Sequence, residues 1–159
     1  MKDHAHHYQA KVTWDAADGS TTKSYKDYTR DHKVEIPGKP TLPLSADPAF
    51  LGNPGLLNPE DCLLTALASC HMLSYLALAA LQGVEVIAYE DEASGTMMQS
   101  GQGGHFTEVV LRPVVTISAG SGRTLAEELH RQASEACFIA ASMNFPVKHE
   151  PQIRQQSVG

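Results

Sequence analysis

Residues 57–83 read LNPEDCLLTALASCHMLSYLALAALQG, a stretch with no charge after Asp61 that holds two of the chain's three cysteines. Asn58 suits a helix N-cap, and Pro59 suits the first helical position, where its missing N–H costs nothing. Glu60 and Asp61 favour the positive end of the helix dipole, and Gly83 supplies a stop. About 24 residues at 1.5 Å each predict a helix of roughly 36 Å. Its leucines, from Leu63 and Leu64 to Leu78 and Leu81, fall on every side. A helix apolar all round is buried in protein or in lipid. The alanines, Thr65, Ser69, His71, Ser74 and the acidic rather than basic flank favour protein. The expectation is a central helix sandwiched within the protein.

Upstream, Tyr8, Ala10, Val12 and Trp14 alternate with polar residues, the pattern of a half-buried strand. AADGS (16–20) reads as a turn, TTKSYKDY (21–28) as the return strand of a hairpin, and HKVEIP (32–37) as a third strand. Residues 37–59 hold six of the nine prolines, and loops this long usually cover something or carry function. Downstream, VEVIAY (84–89) begins a strand expected to run to about Met98, and SGQGG (100–104) is a hairpin loop. HFTEVVLRPVVTIS (105–118) is a long strand with Pro113 marking an edge or bulge. Thr124 and Glu127 form a T-x-x-E capping box opening a second helix to about Ala136. FPVKHE (145–150) is a last strand before a polar tail. This order predicts an α+β domain with antiparallel sheets, not a doubly wound nucleotide fold.

At 159 residues and 42% hydrophobic composition, the chain is expected to be one domain over 1–159, with a flexible arm over about 1–7 and the polar tail over about 151–159. A net charge of −6 without basic runs argues against nucleic acid or an anionic membrane as partner. MKDHAHHYQAKVTW lacks an apolar signal segment, which points to the cytoplasm. There is no C-x-x-C and no G-x-S-x-G, and AGSGRT (119–124) lacks the Walker lysine. A metal reading would draw on Cys62, His71 and the histidines of H-A-H-H (4–7), but such arms are more often disordered. Neither a metal nor a cofactor is expected.

Three cysteines do not make a disulfide scaffold. Cys62 sits in the first helical turn, where the dipole can lower its pKa, yet packing is its commoner role. Cys62 and Cys70 are about 12 Å apart along an intact helix, whereas a disulfide needs Cα atoms within roughly 7 Å. Cys70 and Cys137 are 67 positions apart and meet only by tertiary folding. At this point a redox pair and a plain core both remain open.

Asn58-Pro59-Glu60 followed by the small-residue run Ala66-Leu67-Ala68-Ser69-Cys70 resembles the OsmC/Ohr family of osmotically inducible and organic-hydroperoxide-resistance proteins. YTRDHKVEIPGKP (28–40) and YEDEASGTM (89–97) are similar to its OsmC-like branch, and the resemblance covers essentially the whole chain. It implies a thiol peroxidase in which Cys70 attacks the O–O bond of an organic hydroperoxide and becomes a sulfenic acid. Hydrogen peroxide would be a poorer substrate. Cys137 then condenses with it to a disulfide that an external dithiol, lipoyl or thioredoxin-like, must reduce. The resemblance further implies Arg30 as the guanidinium that stabilises the thiolate and Glu60 as the carboxylate that holds it. Two residues depart from the family pattern: Phe138 stands where a proline usually follows the second cysteine, and His71 replaces a common aromatic. A non-catalytic redox sensor or a small apolar ligand-binding protein is the alternative.

Glu60 and Cys70 lie ten residues apart on the predicted helix, about 15 Å along its axis and about 80° around it. A glutamate side chain does not close that gap within one chain. The resemblance implies an intertwined homodimer, in which Arg30 and Glu60 of one chain serve Cys70 of the other.

Overall fold

The computed structural model describes residues 4–16 and 19–157, in two compact units that divide after Cys62. The first unit is built on a three-stranded antiparallel sheet of β1 (Lys11–Thr13), β2 (His32–Glu35) and β3 (Leu42–Leu44), with β2 in the middle. Val12 pairs with Val34, which pairs with Leu42, so one apolar row crosses all three strands. The partner of β1 is therefore β2, and the return strand expected over 21–28 does not form. That segment is a run of bends, closed by Asp27 N–H to Ser24 O at 3.2 Å and Lys26 N–H to Ser24 Oγ at 3.3 Å. Serine and aspartate bond the nearby backbone here and so compete with a ladder. Of the expected turn over 16–20, residues 17 and 18 lie outside the described residues, while Gly19 N–H reaches Ala16 O at 2.8 Å.

The proline-rich segment supplies β3 and a single 3-10 turn, Pro48–Phe50, capped by the Asp47 carboxylate on Ala49 N–H at 2.7 Å. At Gly52 a Cβ would lie 1.6 Å from the Ala46 carbonyl oxygen, so the loop closes on itself only with glycine there.

Helix α1 (Pro59–Leu81) is continuous. Asn58 Oδ1 accepts from Asp61 N–H at 2.8 Å, and Asp61 Oδ2 accepts from Asn58 N–H at 3.2 Å, a reciprocal cap that satisfies two donors. Gly83, at φ +77°, ends the helix in the left-handed region, and Val84 N–H returns to Ala79 O. Within one chain α1 buries a single stripe, Leu67, His71, Tyr75 and Ala79, four residues apart. Leu73 and Leu81 stay 62% and 83% exposed, so the helix is not sandwiched on all sides as expected.

The second unit carries two three-stranded sheets, one of Ser94–Ser100, Gly103–Leu111 and Val147–His149 in that order, the other of Val86–Asp91, Pro113–Ile117 and Gln152–Gln155. Three chain segments each cross from one sheet to the other. β4 (Val86–Asp91) leads into β5 (Ser94–Ser100), β6 (Gly103–Leu111) into β7 (Pro113–Ile117), and β8 (Val147–His149) into β9 (Gln152–Gln155). The 84–98 and 105–118 strands are thus each broken once, and Pro113 opens a strand where its missing N–H is tolerated. Hairpin pairs are antiparallel, but β8 runs parallel to β6 and β9 parallel to β7. The expected polar tail therefore contributes a strand, with Ile153 buried. Arg112 sits on the fold line, where its side chain donates to Glu150 Oε2 at 3.0 Å and Ser94 Oγ at 2.7 Å, and its N–H donates to Asp91 Oδ1 at 2.7 Å.

Helix α2 (Arg123–Ala136) starts after Gly122 with no side-chain cap, so the Thr124–Glu127 capping box does not form. Glu127 instead pairs with Arg123, one turn back. Tyr75, Ala79, Ala126, Leu129 and Ala133 share one core with Val115, Ile117 and Ile153. A short helix, α3 (Phe138–Ala141), follows directly. The fold is α+β, as the order of elements predicts.

Replacing Asn58 by Ala is expected to lower stability by about 1 kcal/mol in urea denaturation. An unchanged midpoint would mean the reciprocal cap does not govern the start of α1.

Candidate active site

Cys70 and Cys137, which sequence spacing alone left open, are brought together in the second unit. Cys70 projects from the middle of α1, and Cys137 is the residue that ends α2 and begins α3. The two free thiols are neighbours, near enough for the Cys70 side chain to act on that of Cys137. Burial, and then the Cys70 side chain, push the Cys137 thiol up to about 11. It is nearly inaccessible to solvent, whereas Cys70 is half-buried. Apolar side chains of α1, including Leu67, pack with Ile139 and Ala140 of α3.

Cys62 behaves differently from the dipole expectation. Burial raises its pKa first, and the Asp61 and Glu60 carboxylates raise it further. That keeps Cys62 a thiol and supports its assignment to packing.

Arg30 and Glu60 belong to the first unit, where both line a cavity of about 390 Å³ walled by Trp14, Tyr28 and Phe50. Arg30 is held from below by its own loop: Nη1 donates to Tyr28 O and Nη2 to Tyr25 O. Its guanidinium carbon stands 3.8 Å over the Tyr28 ring and 4.8 Å from the Tyr25 centroid. Trp14 packs edge-on against Tyr28 and donates to Thr29 O at 2.7 Å, fixing the loop. No Arg30–Glu60 ion pair occurs among the described residues; the expected bidentate pair is replaced by these carbonyl bonds. The four residues therefore fall as two pairs, one in each unit.

Sequence reasoning missed a cluster beside the thiols. His71 Nε2 and His130 Nδ1 lie 3.1 Å apart, one donating to the other. The ring of His149 tilts on that of His71 with centroids 4.4 Å apart, and Tyr75 stacks on His130 at 4.1 Å. Tyr75 Oη donates to Ala126 O at 3.0 Å. Burial, with the neighbouring imidazoles, pulls His71 down to about 3 and His130 to about 4, and burial lowers His149. The signal was His71 itself, a lone polar ring on an otherwise apolar helix; its partners lie 59 and 78 positions away. Its neighbours are not those of the metal reading, and no group of three metal-ligating side chains is arranged to hold an ion among the described residues.

The model of the OsmC-like protein family matches residues 52–152. The chain belongs to the OsmC-like family. An OsmC-like protein of unknown function from Vibrio cholerae is 36% identical over 92% of this chain and 99% of its own, with a TM-score of 0.84. An organic hydroperoxide resistance protein of Legionella pneumophila, also called a predicted redox protein, shares the fold at 19% identity, 95% and 98% coverage, and a TM-score of 0.68. Another, from Elizabethkingia anophelis with thiocyanate bound, matches at 14% identity, 98% and 100% coverage, and a TM-score of 0.70. No curated protein matches the chain.

In this OsmC-like chain the two buried imidazoles have folded pKa values below the 6.5 of a free histidine. Their contribution to stability is therefore fully present above pH 6.5 and lost as pH falls towards 4. Thermal unfolding should weaken steeply between pH 7 and 4.5, by up to about 2 kcal/mol per histidine at pH 5. His71→Phe should flatten that slope, and an equal slope in the variant would assign the acid sensitivity to other groups.

Proposed function

We propose that this protein is a cysteine-based peroxidase that reduces organic hydroperoxides, with Cys70 as nucleophile and Cys137 as resolving thiol. The observation that carries this is that two thiols 67 positions apart are neighbours in the fold. A packing role does not require that cysteines meet, whereas a sulfenic acid needs a second thiol within reach. The Cys70 thiolate attacks the distal peroxide oxygen; the O–O bond breaks and an alcohol leaves once protonated. Cys137 then displaces water from the sulfenic acid to give the disulfide. An external dithiol gives two electrons and two protons to the disulfide, restoring both thiols and itself becoming a disulfide, so no bound cofactor is needed. A reducing cytoplasm is the compartment that suits such a cycle. The aromatic-walled cavity at Arg30 and Glu60 supports an apolar substrate, with the Arg30 guanidinium in its lining.

The exposed apolar residues of α1 and α3, Leu73, Leu81 and an 80% exposed Phe138, support a homodimer as the working form. In that dimer Arg30 and Glu60 of one subunit act on Cys70 of the other.

The raised Cys137 thiol favours one other reading, a redox sensor that is oxidised once and resolves slowly. Steady-state turnover of cumene hydroperoxide with a dithiol decides between them, because a sensor stops after one equivalent.

Cys70→Ser should reduce peroxide consumption to background, since a hydroxyl is not ionised at neutral pH; substantial remaining turnover would end the mechanism. Cys137→Ser should allow a single oxidation and leave Cys70 as a sulfenic or over-oxidised acid by mass spectrometry. Normal multiple turnover in that variant would move resolution to an external thiol. Mixing Cys70→Ser subunits with Glu60→Ala subunits should restore one intact site per heterodimer. No recovery, or full activity of a dilute monomer in light scattering, would sink the shared site.

A further inference from the structure

The cavity of the first unit has a shape and a charge that choose among apolar ligands. Trp14 stands edge-on to Tyr28, with ring centroids 6.1 Å apart and planes at 89°, and Phe50 and Pro59 add apolar wall to the same space of about 390 Å³. Trp14 is held in this orientation by its Nε1–H bond to Thr29 O at 2.7 Å. Two rings at right angles make a corner that takes a third, flat against one and edge-on to the other. The volume is at the small end of the roughly 300–1,000 Å³ typical of ligand pockets, which suits a compact molecule.

Arg30 is a fixed part of the wall. N–H donors on both its terminal nitrogens are spent on Tyr28 O and Tyr25 O, and the guanidinium lies over the Tyr28 ring. It therefore offers a ligand less than the open fork with which a free guanidinium grips a carboxylate. Against it stand two carboxylates, Glu60 and Asp47, neither of which has an ion pair among the described residues. Asp47 is held in place by accepting from Ala49 N–H at 2.7 Å. His32 also lines the space, and its Nδ1 donates to Arg30 O at 2.8 Å, since a carbonyl only accepts. In the neutral ring the other nitrogen is then an acceptor. The carboxylates and this nitrogen call for a proton donor on the ligand and oppose a negative charge.

We propose that this cavity selects neutral arylalkyl molecules bearing a hydroxyl or hydroperoxyl group and turns away the same scaffold bearing a carboxylate. The ligand's ring fills the aromatic corner, and its O–H donates to a carboxylate or to His32. A carboxylate on the ligand meets like charge from Glu60 and Asp47, with Arg30 already engaged. Among hydroperoxides, neutral aryl compounds are then preferred to free fatty-acid hydroperoxides. The choice of substrate rests on the proposed function; the choice of ligand needs no peroxide.

Trp14 is the chain's single tryptophan, so its fluorescence reports on this cavity. The full chain is titrated at pH 8, where a free imidazole is neutral, with three peroxide-free probes. These are cumyl alcohol, its para-carboxylate, and the methyl ester of that carboxylate. The alcohol and the ester should change the Trp14 emission saturably, and the carboxylate should bind at least about tenfold more weakly than its own ester. Asp47→Asn/Glu60→Gln keeps the cap on Ala49 and both side-chain shapes, and should bring carboxylate and ester to within about twofold. Phe50→Ala should weaken all three probes alike. Equal binding of carboxylate and ester by the native protein overturns the selection, as does an unchanged ratio in the double variant. No saturable response to either neutral probe, or unchanged binding in Phe50→Ala, overturns the aromatic pocket itself. The two readings fail separately. Absence of turnover with the binding ratio intact refutes the peroxidase and leaves the selection standing, whereas turnover of cumene hydroperoxide with equal binding of carboxylate and ester does the reverse.

Discussion

Buried polar groups between α1 and α2 must find partners without water, and that requirement sets how α1 is turned. An unpaired donor there costs about 1–3 kcal/mol, as much as a well-buried leucine contributes. Tyr75 meets it with Ala126 O, and His71 and His130 meet it at one ring nitrogen each while His71 Nδ1 and His130 Nε2 stay unbonded; Leu67 and Ala79 complete the stripe with apolar contact. Any rotation of the helix would break both bonds together. With this stripe turned inward, the residue before His71 stands about 100° around the axis. That residue is Cys70, and its thiol meets Cys137. The apolar composition of α1 leaves its rotation undetermined; two polar side chains decide it.

A second constraint positions the third imidazole. Three chain segments pass from one sheet to the other, and Arg112 is bonded to or beside all three crossing points. Its contacts are half exposed, so each ion pair alone is worth little. Their value is geometric, because Asp91 takes the Arg112 backbone N–H that a broken ladder leaves unpaired. Glu150 is the residue after His149, and its bond to Arg112 fixes the end of β8 where that imidazole leans on His71. A strand break that looks like a packing defect therefore helps build the histidine cluster.

Much of this was legible in the sequence where the signals are local. Asn58, Pro59, the two acids and Gly83 mark both ends of α1 to within a residue or two, because caps act through neighbouring backbone groups. The hairpin at 100–104 was equally plain. What failed had distant causes. The segment 21–28 alternates well enough to be a strand, but Tyr25 and Tyr28 are claimed by Arg30 and Ser24 turns the backbone. Gln152–Gln155 is polar and looks like a tail, yet it pairs with β7 because only Ile153 needs to face inward. Thr124 and Glu127 have capping spacing, but Arg123 already stands inside the helix and takes Glu127 as its partner. For the site, the four residues came from a family pattern, and the imidazoles were invisible because their meeting depends on tertiary contact alone.

The three thiols show how the same residue type is given different work by its surroundings. Cys62 has the most favourable local address, the first turn of a long helix. The acids that make that turn a good helix start also oppose a thiolate there. Cys137 is in a different situation: burial first, and then the Cys70 side chain, keep it protonated. Cys70 is half-buried, has no acid within a turn of it in sequence, and touches Cys137. Of the three, only Cys70 combines access for a substrate with a second thiol in contact. The placement of acid residues and of buried surface thus selects one thiol to react first and another to follow, without either motif being visible as a C-x-x-C.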